Sequence, residues 1–496
     1  MFWLLACHDP ALREESKEAR DSGVAEDSAP SGDSGLTGDS GDSAPPLDND
    51  LDDDGHDAVE AGGDDCDDAD PAVNPGAPEV CDNGVDDDCY GGTGACALAG
   101  SVTVADADAT LGPGEQDSYF GNRLAVGDVT GDGVNDIVVG AIWAQSQRGA
   151  TYVFSEGATS GSRSQASVTV VGDANDWAGN VHVADLDGDG VGDLLVGNHG
   201  GGVLRAFYGP MDGRLDSSDA TTTYDPAGYL HGTGTAALLS DIDGNGKTDL
   251  VFGGYGVAAF PTSRRGNLDV DDAVLTISGG NYCGDSLGAA DFNGDGLDEL
   301  VVSCHPAGGG VYIEEGPVGG TNYALEGWAR IGNPSDGYIG AALALDDVDG
   351  DGTVDLIASS RPTTGRSGSV FLWTTVSRGT LSCDLVNGEI NETADGGSLG
   401  TSLSRTDLDG DGGAELLAGA YTAGANSGAV YIFDGDLSGT HSSDEARAVI
   451  GGAEEGDMLY AIATGDLDGT GIADLVVGAP AAQDGLGAAY VFTDGL

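Results

Sequence analysis

The fold is decided by one stretch that recurs along the chain, Asp185-Leu-Asp187-Gly-Asp189-Gly-Val-Gly-Asp193, followed directly by Leu194-Leu195-Val196-Gly197. Copies of this acidic loop recur at intervals of 50 to 60 residues, and the seven copies begin at Asp128, Asp185, Asp241, Asp291, Asp347, Asp407 and Asp466. A nearly constant period of this size is typical of solenoids, propellers and other repeat arrays. The repeat therefore predicts one architecture built from seven similar units.

Oxygen-bearing side chains occupy positions 1, 3, 5 and 9 of every loop, as a Ca²⁺ site requires. Ca²⁺ takes about six to eight oxygen ligands, mostly carboxylates and carbonyls. Glycine at positions 4 and 6 lets the backbone wrap tightly with positive φ, and we expect position 7 to add a backbone carbonyl. The predicted metal ligands are Asp128, Thr130, Asp132, Asp136; Asp185, Asp187, Asp189, Asp193; Asp241, Asp243, Asn245, Asp249; Asp291, Asn293, Asp295, Glu299; Asp347, Asp349, Asp351, Asp355; Asp407, Asp409, Asp411, Glu415; and Asp466, Asp468, Thr470, Asp474.

Two other interpretations of the loop are disfavoured. An EF-hand needs a bidentate Glu at position 12 and flanking helices, but position 12 is apolar in every copy: Val139, Val196, Phe252, Val302, Ala358, Ala418 and Val477. Polar turns without a metal would place three or four mutually repelling acids in loop after loop. We expect the weakest binding in loops 1 and 7, where Thr130 and Thr470 replace carboxylates.

Each unit also contains about four short segments that are rich in β-branched or aromatic residues and are separated by Gly-rich turns. In the first unit these segments are Leu124–Gly127, Asp136–Gly140, Ala150–Phe154 and Ser167–Val171. Four-stranded units repeated radially form the blades of a propeller. The sequence therefore predicts an all-β protein with a seven-bladed β-propeller over residues 98–496.

The two ends of the repeat region predict how the ring closes. The last unit stops after its third segment, Ala488–Phe492, whereas Ser101-Val-Thr-Val104 precedes the first unit and matches Ser167-Val-Thr-Val170. We expect residues 101–104 to complete the last blade, because closure removes a free sheet edge.

The loop and its flanks resemble the FG-GAP repeat of integrin α-subunit propellers. Four of the units place an apolar residue and Gly ahead of the loop, at Phe120-Gly121, Cys283-Gly284, Ile339-Gly340 and Leu399-Gly400. Three units, two of them among these four, carry the second signature after the loop, at Gly140-Ala141, Gly419-Ala420 and Gly478-Ala479-Pro480. The resemblance implies a seven-bladed propeller with calcium in the hairpin loops of one face, and it favours adhesion or ligand binding.

The first residues of the chain resemble the end of a bacterial lipoprotein signal, Leu4-Leu5-Ala6-Cys7, in which Cys7 would carry the lipid. A signal needs a positive segment and a longer apolar stretch, so either the start of residues 1–7 is truncated, which we favour, or the match is chance. Residues 8–63 are acidic and rich in Ser, Gly and Pro, and they predict a disordered stalk. Together these features favour an extracellular bacterial surface protein, tethered as an outer-membrane lipoprotein.

Residues 64–97 resemble a short Cys/Asp-rich metal-binding module of bacterial surface proteins, some of which bind copper. The resemblance rests on Asp64-Asp-Cys66-Asp-Asp-Ala-Asp-Pro71, on Cys81-Asp82 and on Asp86-Asp-Asp-Cys89. Two disulfides among Cys66, Cys81, Cys89 and Cys96 would fit an oxidising compartment, and the sequence leaves the pairing open. Soft thiolates would suit copper, whereas oxidised cysteines among carboxylates suit calcium better, and we favour calcium.

The charge of the chain excludes some partners. It has 85 acidic and 17 basic residues, a formal net charge of −68, which repels nucleic acid and anionic membranes. We therefore expect no nucleic-acid partner, no membrane contact except through a lipid on Cys7, and a monomer. Cys283 and Cys304 flank the fourth loop on adjacent predicted strands, and the sequence leaves open a disulfide or two buried thiols.

No pattern in the chain predicts catalysis. There is no His-Glu-x-x-His motif, and Gly-x-Ser-x-Gly at 284–288 and 396–400 lacks the strand-to-helix turn of a nucleophile elbow. We expect a calcium-stabilised binding protein for a protein or polysaccharide ligand; the alternatives are a polysaccharide-active enzyme and a passive structural surface protein. Aromatic residues near the inter-blade loops are candidates for stacking on sugars, namely Trp143, Trp177, Tyr229, Tyr255, Tyr338, Tyr421 and Tyr460.

Overall fold

The structure, a computed structural model, describes most of the chain from residue 100 to residue 493. Its gaps in this range are 113–115, 117, 156–159, 227–232, 278–282, 305–309, 322, 326, 333–337, 362–366, 382–385, 394–396, 411 and 436. Before residue 100 it describes isolated positions between 56 and 89. The chain divides into two compact units, of which the larger contains Ala95–Leu496 and the smaller contains His8–Gly94.

The larger unit is built almost entirely of short β-strands, which fall into seven sheets. In chain order they are β1 (Gly100–Thr103), β2 (Ala109–Leu111), β3 (Phe120–Gly127), β4 (Asp136–Ala141), β5 (Ala150–Phe154), β6 (Val168–Val171), β7 (Ala178–Ala184), β8 (Asp193–Asn198), β9 (Leu204–Phe207), β10 (Gly213–Asp216), β11 (Thr222–Asp225), β12 (Ala237–Ser240), β13 (Asp249–Gly253), β14 (Val257–Pro261), β15 (Gly266–Asp269), β16 (Leu275–Ile277), β17 (Cys283–Ala290), β18 (Glu299–Cys304), β19 (Gly310–Glu314), β20 (Ala329–Gly332), β21 (Tyr338–Asp346), β22 (Asp355–Arg361), β23 (Ser369–Trp373), β24 (Gly379–Leu381), β25 (Gly388–Asn391), β26 (Ser402–Thr406), β27 (Glu415–Ala420), β28 (Ala429–Phe433), β29 (Gly439–Ser442), β30 (Ala448–Gly451), β31 (Ala461–Gly465), β32 (Asp474–Ala479) and β33 (Ala488–Phe492).

The seven sheets are the blades of a propeller, as the repeat predicted. Their first four strands, counted outward, are β3–β6, then β7, β8, β9 and β11, then β12, β13, β14 and β16, then β17–β20, then β21, β22, β23 and β25, then β26, β27, β28 and β30, and finally β31, β32, β33 and β2. Within each blade these strands pair antiparallel. The first strand of the last blade, β31, contacts β3 of the first blade, so the ring is closed.

The hydrophobic core lies between the blades. Along β4, Ile137 and Val139 pack into the core between blades 7 and 1, whereas Val138 packs into the core between blades 1 and 2. Side chains alternate between the two faces of a strand, so a strand buried on both faces is apolar without interruption. This pattern explains the runs Ile-Val-Val and Leu-Leu-Val that follow the acidic loops.

Each blade also reaches back to the blade before it. A short strand from the connection between strands 3 and 4 pairs in parallel with the outer strand of the preceding blade, as β10 does with β6, β15 with β11, β24 with β20 and β29 with β25. Single parallel bridges at Gly320 and Gly161 do the same for β16 and β2. The outer edges are thereby covered, and neighbouring blades are joined by backbone hydrogen bonds.

The N-terminal segment closes the ring by two strands, which corrects the expectation that residues 101–104 complete the last blade. Residues 109–111, in β2, are the fourth strand of blade 7 and pair antiparallel with β33. Residues 100–103, in β1, instead pair in parallel with β30 of blade 6. The match of Ser101–Val104 to Ser167–Val170 was misleading because Ala109 and Leu111 are buried, whereas Ser101 and Thr103 are exposed.

The helices are single turns on connections. One-turn 3₁₀ helices precede several outer strands, at Val104–Asp106, Arg163–Gln165, Ser217–Asp219, Val270–Asp272 and Ser443–Glu445. Three other turns, α1 (Ala144–Gln147), α2 (Ala423–Asn426) and α3 (Ala482–Gly485), join strands 2 and 3 in blades 1, 6 and 7. Among the described residues no helix has the length and apolar character that a membrane span requires.

Two disulfides are described. Cys66 is bonded to Cys89 within the smaller unit, which selects one pairing from those that the sequence left open. Cys283 is bonded to Cys304 across β17 and β18, so these two residues are a disulfide and not free thiols. Cys7, Cys81, Cys96 and Cys383 lie outside the described residues. Disulfides persist in oxidising environments, so the protein belongs to an extracellular or surface setting.

Candidate functional site

All seven acidic loops lie at one end of the ring, here called the metal-loop face. Each loop joins the first strand of a blade to the second, as Asp185–Asp193 joins β7 to β8. Because every first strand runs in the same direction, the connections from strand 2 to strand 3 lie at the other end of the ring, here called the opposite face. The loops that lead from strand 4 of one blade to strand 1 of the next lie at the same end. The predicted metal sites and these inter-blade loops are therefore separated by the length of a strand.

The first acid of each loop organises the backbone of the loop. In loop 2, Oδ1 of Asp185 accepts the N–H of Gly188 at 2.7 Å and Oδ2 accepts the N–H of Gly190 at 2.9 Å. Gly188 and Gly190 have φ of 77° and 88°, so they adopt the left-handed conformation that was expected at positions 4 and 6. In loop 4, the N–H of Gly296 is the main cause that lowers the pKa of Asp291.

The last acid of each loop is buried beneath it. Asp193 is 1% exposed, and its Oδ2 accepts the N–H of Leu186 at 2.8 Å. Burial raises the pKa of Asp193 to about 6, although the N–H groups of Gly209 and Leu186 oppose the shift. Burial, aided by the charges of Asp243 and Asp241, likewise raises the pKa of Asp249 to about 6. A buried carboxylate with a raised pKa lacks sufficient positive charge around it.

The donor set fits a divalent cation. In five loops at least three carboxylates offer oxygens that lie within 4.8 Å of one another: Asp185, Asp187, Asp193; Asp241, Asp243, Asp249; Asp347, Asp349, Asp351; Asp407, Asp409, Glu415; and Asp466, Asp468, Asp474. In loop 5, Oδ2 of Asp355 accepts the N–H of Val348 at 2.7 Å, but its buried Oδ1 meets no hydrogen-bond donor among the described residues. An ion in these loops would supply the missing positive charge, and hard carboxylate oxygens suit Ca²⁺ or Mg²⁺.

Loops 1 and 4 differ from the other five. Oγ1 of Thr130 donates to Oδ1 of Asp136 at 3.2 Å, and Nδ2 of Asn293 donates to Oε1 of Glu299 at 2.8 Å. In both loops a neutral donor at position 3 already satisfies the buried acid. The sequence predicts the weakest metal binding in loops 1 and 7; the structure shows a different distinction, because loops 1 and 4 are those in which a neutral side chain donates to the buried acid. Asp411, of loop 6, lies outside the described residues.

Position 2 of the loop has a role that the sequence interpretation missed. Leu186 is 4% exposed and packs in the core between blades 2 and 3, and Leu467 is fully buried between blades 7 and 1. The residue is apolar in all seven loops, and this regularity was the available signal: Val129, Leu186, Ile242, Phe292, Val348, Leu408 and Leu467. Each loop is therefore anchored in the core that its blade shares with the next.

Arginines from neighbouring connections also reach two loops. Nη2 of Arg265 lies 2.7 Å from Oδ2 of Asp187 in loop 2, and Nη1 of Arg447 lies 2.5 Å from Oδ2 of Asp409 in loop 6. Arg265 directly precedes β15, by which blade 3 reaches back to blade 2, whereas Arg447 directly precedes β30, the outer strand of the same blade as loop 6. Both ion pairs offset part of the negative charge of the metal-loop face, and the pair of Arg265 also ties loop 2 to the next blade.

The opposite face contains a central cavity of about 520 Å³. Side chains from all seven blades line it, so it lies on the axis of the ring; the lining residues include Arg123, His199, Tyr255, Asp285, Arg361, Tyr421 and Tyr460. Pockets of about 300–1,000 Å³ are typical of small-ligand sites.

The aromatic residues that were singled out divide into two groups. Tyr255, Tyr421 and Tyr460 line the cavity, and the rings of Tyr421 and Tyr460 meet edge to face at 6.2 Å. Trp143, 44% exposed, instead packs against Tyr119. Trp177 stacks on His199 and Tyr338 packs near Arg361, both of which line the cavity, and Tyr229 is outside the described residues.

Comparisons with known proteins agree with this architecture. The family model of the FG-GAP-like repeat matches residues 128–196 and 407–477. The family model Cu-binding_MopE, described as "Putative metal-binding motif", matches residues 65–93. The chain therefore carries FG-GAP-like repeats in a seven-bladed propeller, together with a metal-binding motif of the second family.

Several relatives are integrin α-subunits. The chain is 32% identical to integrin alpha-IIb of Homo sapiens over 156 residues, which are 28% of this chain and 15% of that protein. It is 26% identical to integrin alpha pat-2 of Caenorhabditis briggsae over 272 residues, 52% of this chain and 19% of that protein. A third relative, phosphatidylinositol-glycan-specific phospholipase D of Mus musculus, is 30% identical over 154 residues, 26% of this chain and 18% of that protein. The chain thus matches less than a fifth of the length of these relatives, and the likeness is to their repeats.

Proposed function

We propose that this protein binds an extracellular ligand through the opposite face of its propeller, and that Ca²⁺ in the acidic loops stabilises the ring. The observation that carries the proposal is the central cavity, because every blade contributes to it and it lies away from the acidic loops. The likeness to integrin α-subunits supports a role in adhesion or ligand binding. The ligand is a protein or a polysaccharide at a bacterial cell surface, where the chain is held by a lipid on Cys7.

Calcium is the proposed ion because of the donor set and the setting. The loops offer several carboxylates together with backbone carbonyls, which suits the about six to eight oxygen ligands of Ca²⁺, whereas Mg²⁺ demands near-ideal octahedral geometry and keeps several waters. The ion would link the loop to the inter-blade core through the residue at position 2. Its proposed role is therefore structural, and each filled site would stabilise the folded ring by mass action.

Binding without turnover is the proposed mode of action. Glycoside hydrolysis generally uses a pair of carboxylic acids that flank the scissile bond. Among the described residues that line the cavity, Asp285 is the one acid. A single carboxylate in this position favours recognition over hydrolysis. The tyrosines of the cavity offer aromatic faces and hydroxyl groups to a ligand.

The test is binding of the full-length protein to a panel of glycans and surface proteins, in calcium and in chelator. We expect saturable binding to at least one member in calcium, weaker binding in chelator, and a strong loss in Tyr460→Ala. Val134→Ser, in a metal loop on the other face, is the control and is expected to bind normally, because Val134 is 39% exposed. Absence of binding to every member, or equal loss in both variants, would contradict the proposal.

The same samples test the role of the ion. Calcium should raise the denaturation midpoint of the full-length protein and chelator should lower it, because the ion binds the folded loops alone. If the midpoint did not change on chelation, calcium would have no stabilising role. Product analysis of any bound glycan would detect turnover, and a catalytic rate above background would overturn binding without turnover.

A further inference from the structure

The cavity on the opposite face concentrates positive charge in a strongly acidic protein. The chain has 17 basic residues against 85 acidic ones. Two of the 17, Arg123 of blade 1 and Arg361 of blade 5, line the cavity together with His199. Asp285 is the one acid among its described lining residues. Among the described lining residues the two arginines thus outnumber the one carboxylate, whereas acidic residues outnumber basic ones in the whole chain.

Most other described arginines are engaged by acids of the chain. Carboxylate oxygens lie within 4.0 Å of the guanidinium groups of Arg205, Arg264, Arg265, Arg378, Arg405 and Arg447. These pairs show how the protein ordinarily uses its few arginines, namely to offset its own negative charge.

Arg123 and Arg361 differ from these six arginines in their partners. Neither guanidinium has a carboxylate within 4.0 Å among the described residues. Nη1 of Arg123 donates to the carbonyl of Asn122 at 3.1 Å, and the guanidinium of Arg361 lies 5.7 Å from the ring centroid of Tyr338. A guanidinium has five N–H donors, so a single hydrogen bond or a ring contact leaves most of this capacity for a ligand.

We propose that the cavity binds the carboxylate of an acidic sugar at the end of a glycan, with Arg123 and Arg361 as its charged contacts. This inference rests on the proposed function and names the ligand of the same face. Arginine matches the planar carboxylate through paired, charge-assisted hydrogen bonds. Tyr255, Tyr421 and Tyr460 supply aromatic faces against which the sugar ring packs.

The net charge of the protein favours the end of a glycan over a long polyanionic glycan as the ligand. A net charge of −68 repels a long polyuronate as it approaches. A single acidic sugar on an otherwise neutral glycan presents one carboxylate to the two arginines and few charges to the rest of the surface. A cavity of about 520 Å³ on the ring axis also accommodates the end of a glycan more readily than an internal stretch of it.

The experiment compares three probes with the full-length protein in calcium. They are a trisaccharide that ends in a hexuronate, the same trisaccharide with that carboxylate reduced to the alcohol, and an acidic tripeptide. We expect the uronate to bind at least about tenfold more tightly than the neutral sugar, because hydrogen bonds to charged groups are worth more than neutral ones. Affinity for the uronate should fall as salt rises.

Three variants test the assignment of the arginines. Arg361→Gln and Arg123→Gln are each expected to weaken uronate binding about tenfold or more and to leave neutral-sugar binding nearly unchanged. Arg378→Gln is the matched control, because the side chain of Arg378 is 75% exposed and pairs with Glu315 on the surface. It is expected to bind like the parent. Arg361 is exposed, so its variant should keep the parent denaturation midpoint.

Each other outcome overturns the inference in a recognisable way. Equal affinity for uronate and neutral sugar removes the carboxylate from recognition but leaves the ligand-binding face standing. Binding of the acidic tripeptide alone shows that the cavity takes a peptide. Failure of all three probes overturns the acidic-sugar assignment, whereas the proposed function fails only if the wider panel also gives no binding.

Discussion

The N-terminal segment closes the ring through its second strand, so Leu111→Ala should destabilise the propeller far more than Val102→Ala. Leu111 is 2% exposed and packs with Phe120 and Val491 in the core between blades 7 and 1. Truncation of a buried Leu to Ala costs about 2–5 kcal/mol, because the lost transfer free energy is joined by that of the cavity left behind. Such a loss is a large part of a typical folding free energy of about 5–15 kcal/mol.

Val102 lies in β1 and is only half-buried at the edge of the core between blades 6 and 7. Val→Ala removes two methyl groups, each worth about 0.8 kcal/mol when fully buried. At half burial we expect a cost of about 1 kcal/mol or less. Ile277→Ala is the positive control, because Ile277 is 3% exposed in the outer strand of blade 3. Its cost should resemble that of Leu111→Ala.

The assay is equilibrium unfolding of the full-length variants in denaturant at fixed calcium, followed by fluorescence and circular dichroism. Hydrogen exchange adds a local readout, because the N–H of Asp108 donates to the carbonyl of Val491 at 2.9 Å and should be protected. The reasoning is refuted if Val102→Ala costs as much as Leu111→Ala, or if Leu111→Ala costs less than about 1 kcal/mol. Either result would favour residues 101–104 as the closing strand.

Three further predictions concern the loops, the disulfide and His182. Asp193→Asn, in loop 2, should remove most of the stabilisation that calcium gives at one site, which is about 2.7 kcal/mol when calcium is 100-fold above Kd. Asp136→Asn, in loop 1, should remove less. Equal shifts of the denaturation midpoint in the two variants would contradict the difference between loops 2 and 1. Cys283 and Cys304 should resist alkylation in denaturant until a reductant is added, as mass spectrometry can show; labelling without reductant would exclude the disulfide. Nε2 of His182 donates to the carbonyl of Gly234 at 2.9 Å, and desolvation lowers the pKa of the imidazole. The unfolded chain therefore takes up the proton more readily, so the contribution of His182 to stability should be lost as the pH falls below about 6.5. His182→Asn should flatten this part of the stability profile, and an unchanged profile would contradict the assignment.

Local patterns in the sequence predicted the blade and its loop. The period, the oxygen donors and the glycines at positions 4 and 6 are all local, and the φ values of Gly188 and Gly190 confirm the turn. The glycines of the two FG-GAP signatures are also visible in the local sequence, and the structure shows that they pack between blades. A Cβ on Gly478 would lie 2.0 Å from the carbonyl oxygen of Gly121 in the next blade, so the two signatures meet backbone to backbone.

The sequence could not predict which strands pair when they lie far apart in the chain. Residues 101–104 look like an outer strand, and only the register of β2 against β33 shows that residues 109–111 hold that place. The reach-back strands are short and exposed, as Gly213–Asp216 illustrates, so they carry little hydrophobic pattern. Arg123 and Arg361 are 238 positions apart in the chain, and only ring closure brings them to one cavity.

The two faces of the ring are coupled through its cores. Each acidic loop is anchored by an apolar residue, such as Leu186 or Leu467, in the core between its own blade and the next. An ion that orders the loop therefore also fixes the spacing of neighbouring blades. Arg123 and Arg361 come from blades 1 and 5, so their separation across the cavity depends on several such spacings. If calcium strengthens ligand binding in this way, the ligand must strengthen calcium binding by the same factor, since coupling between sites is reciprocal.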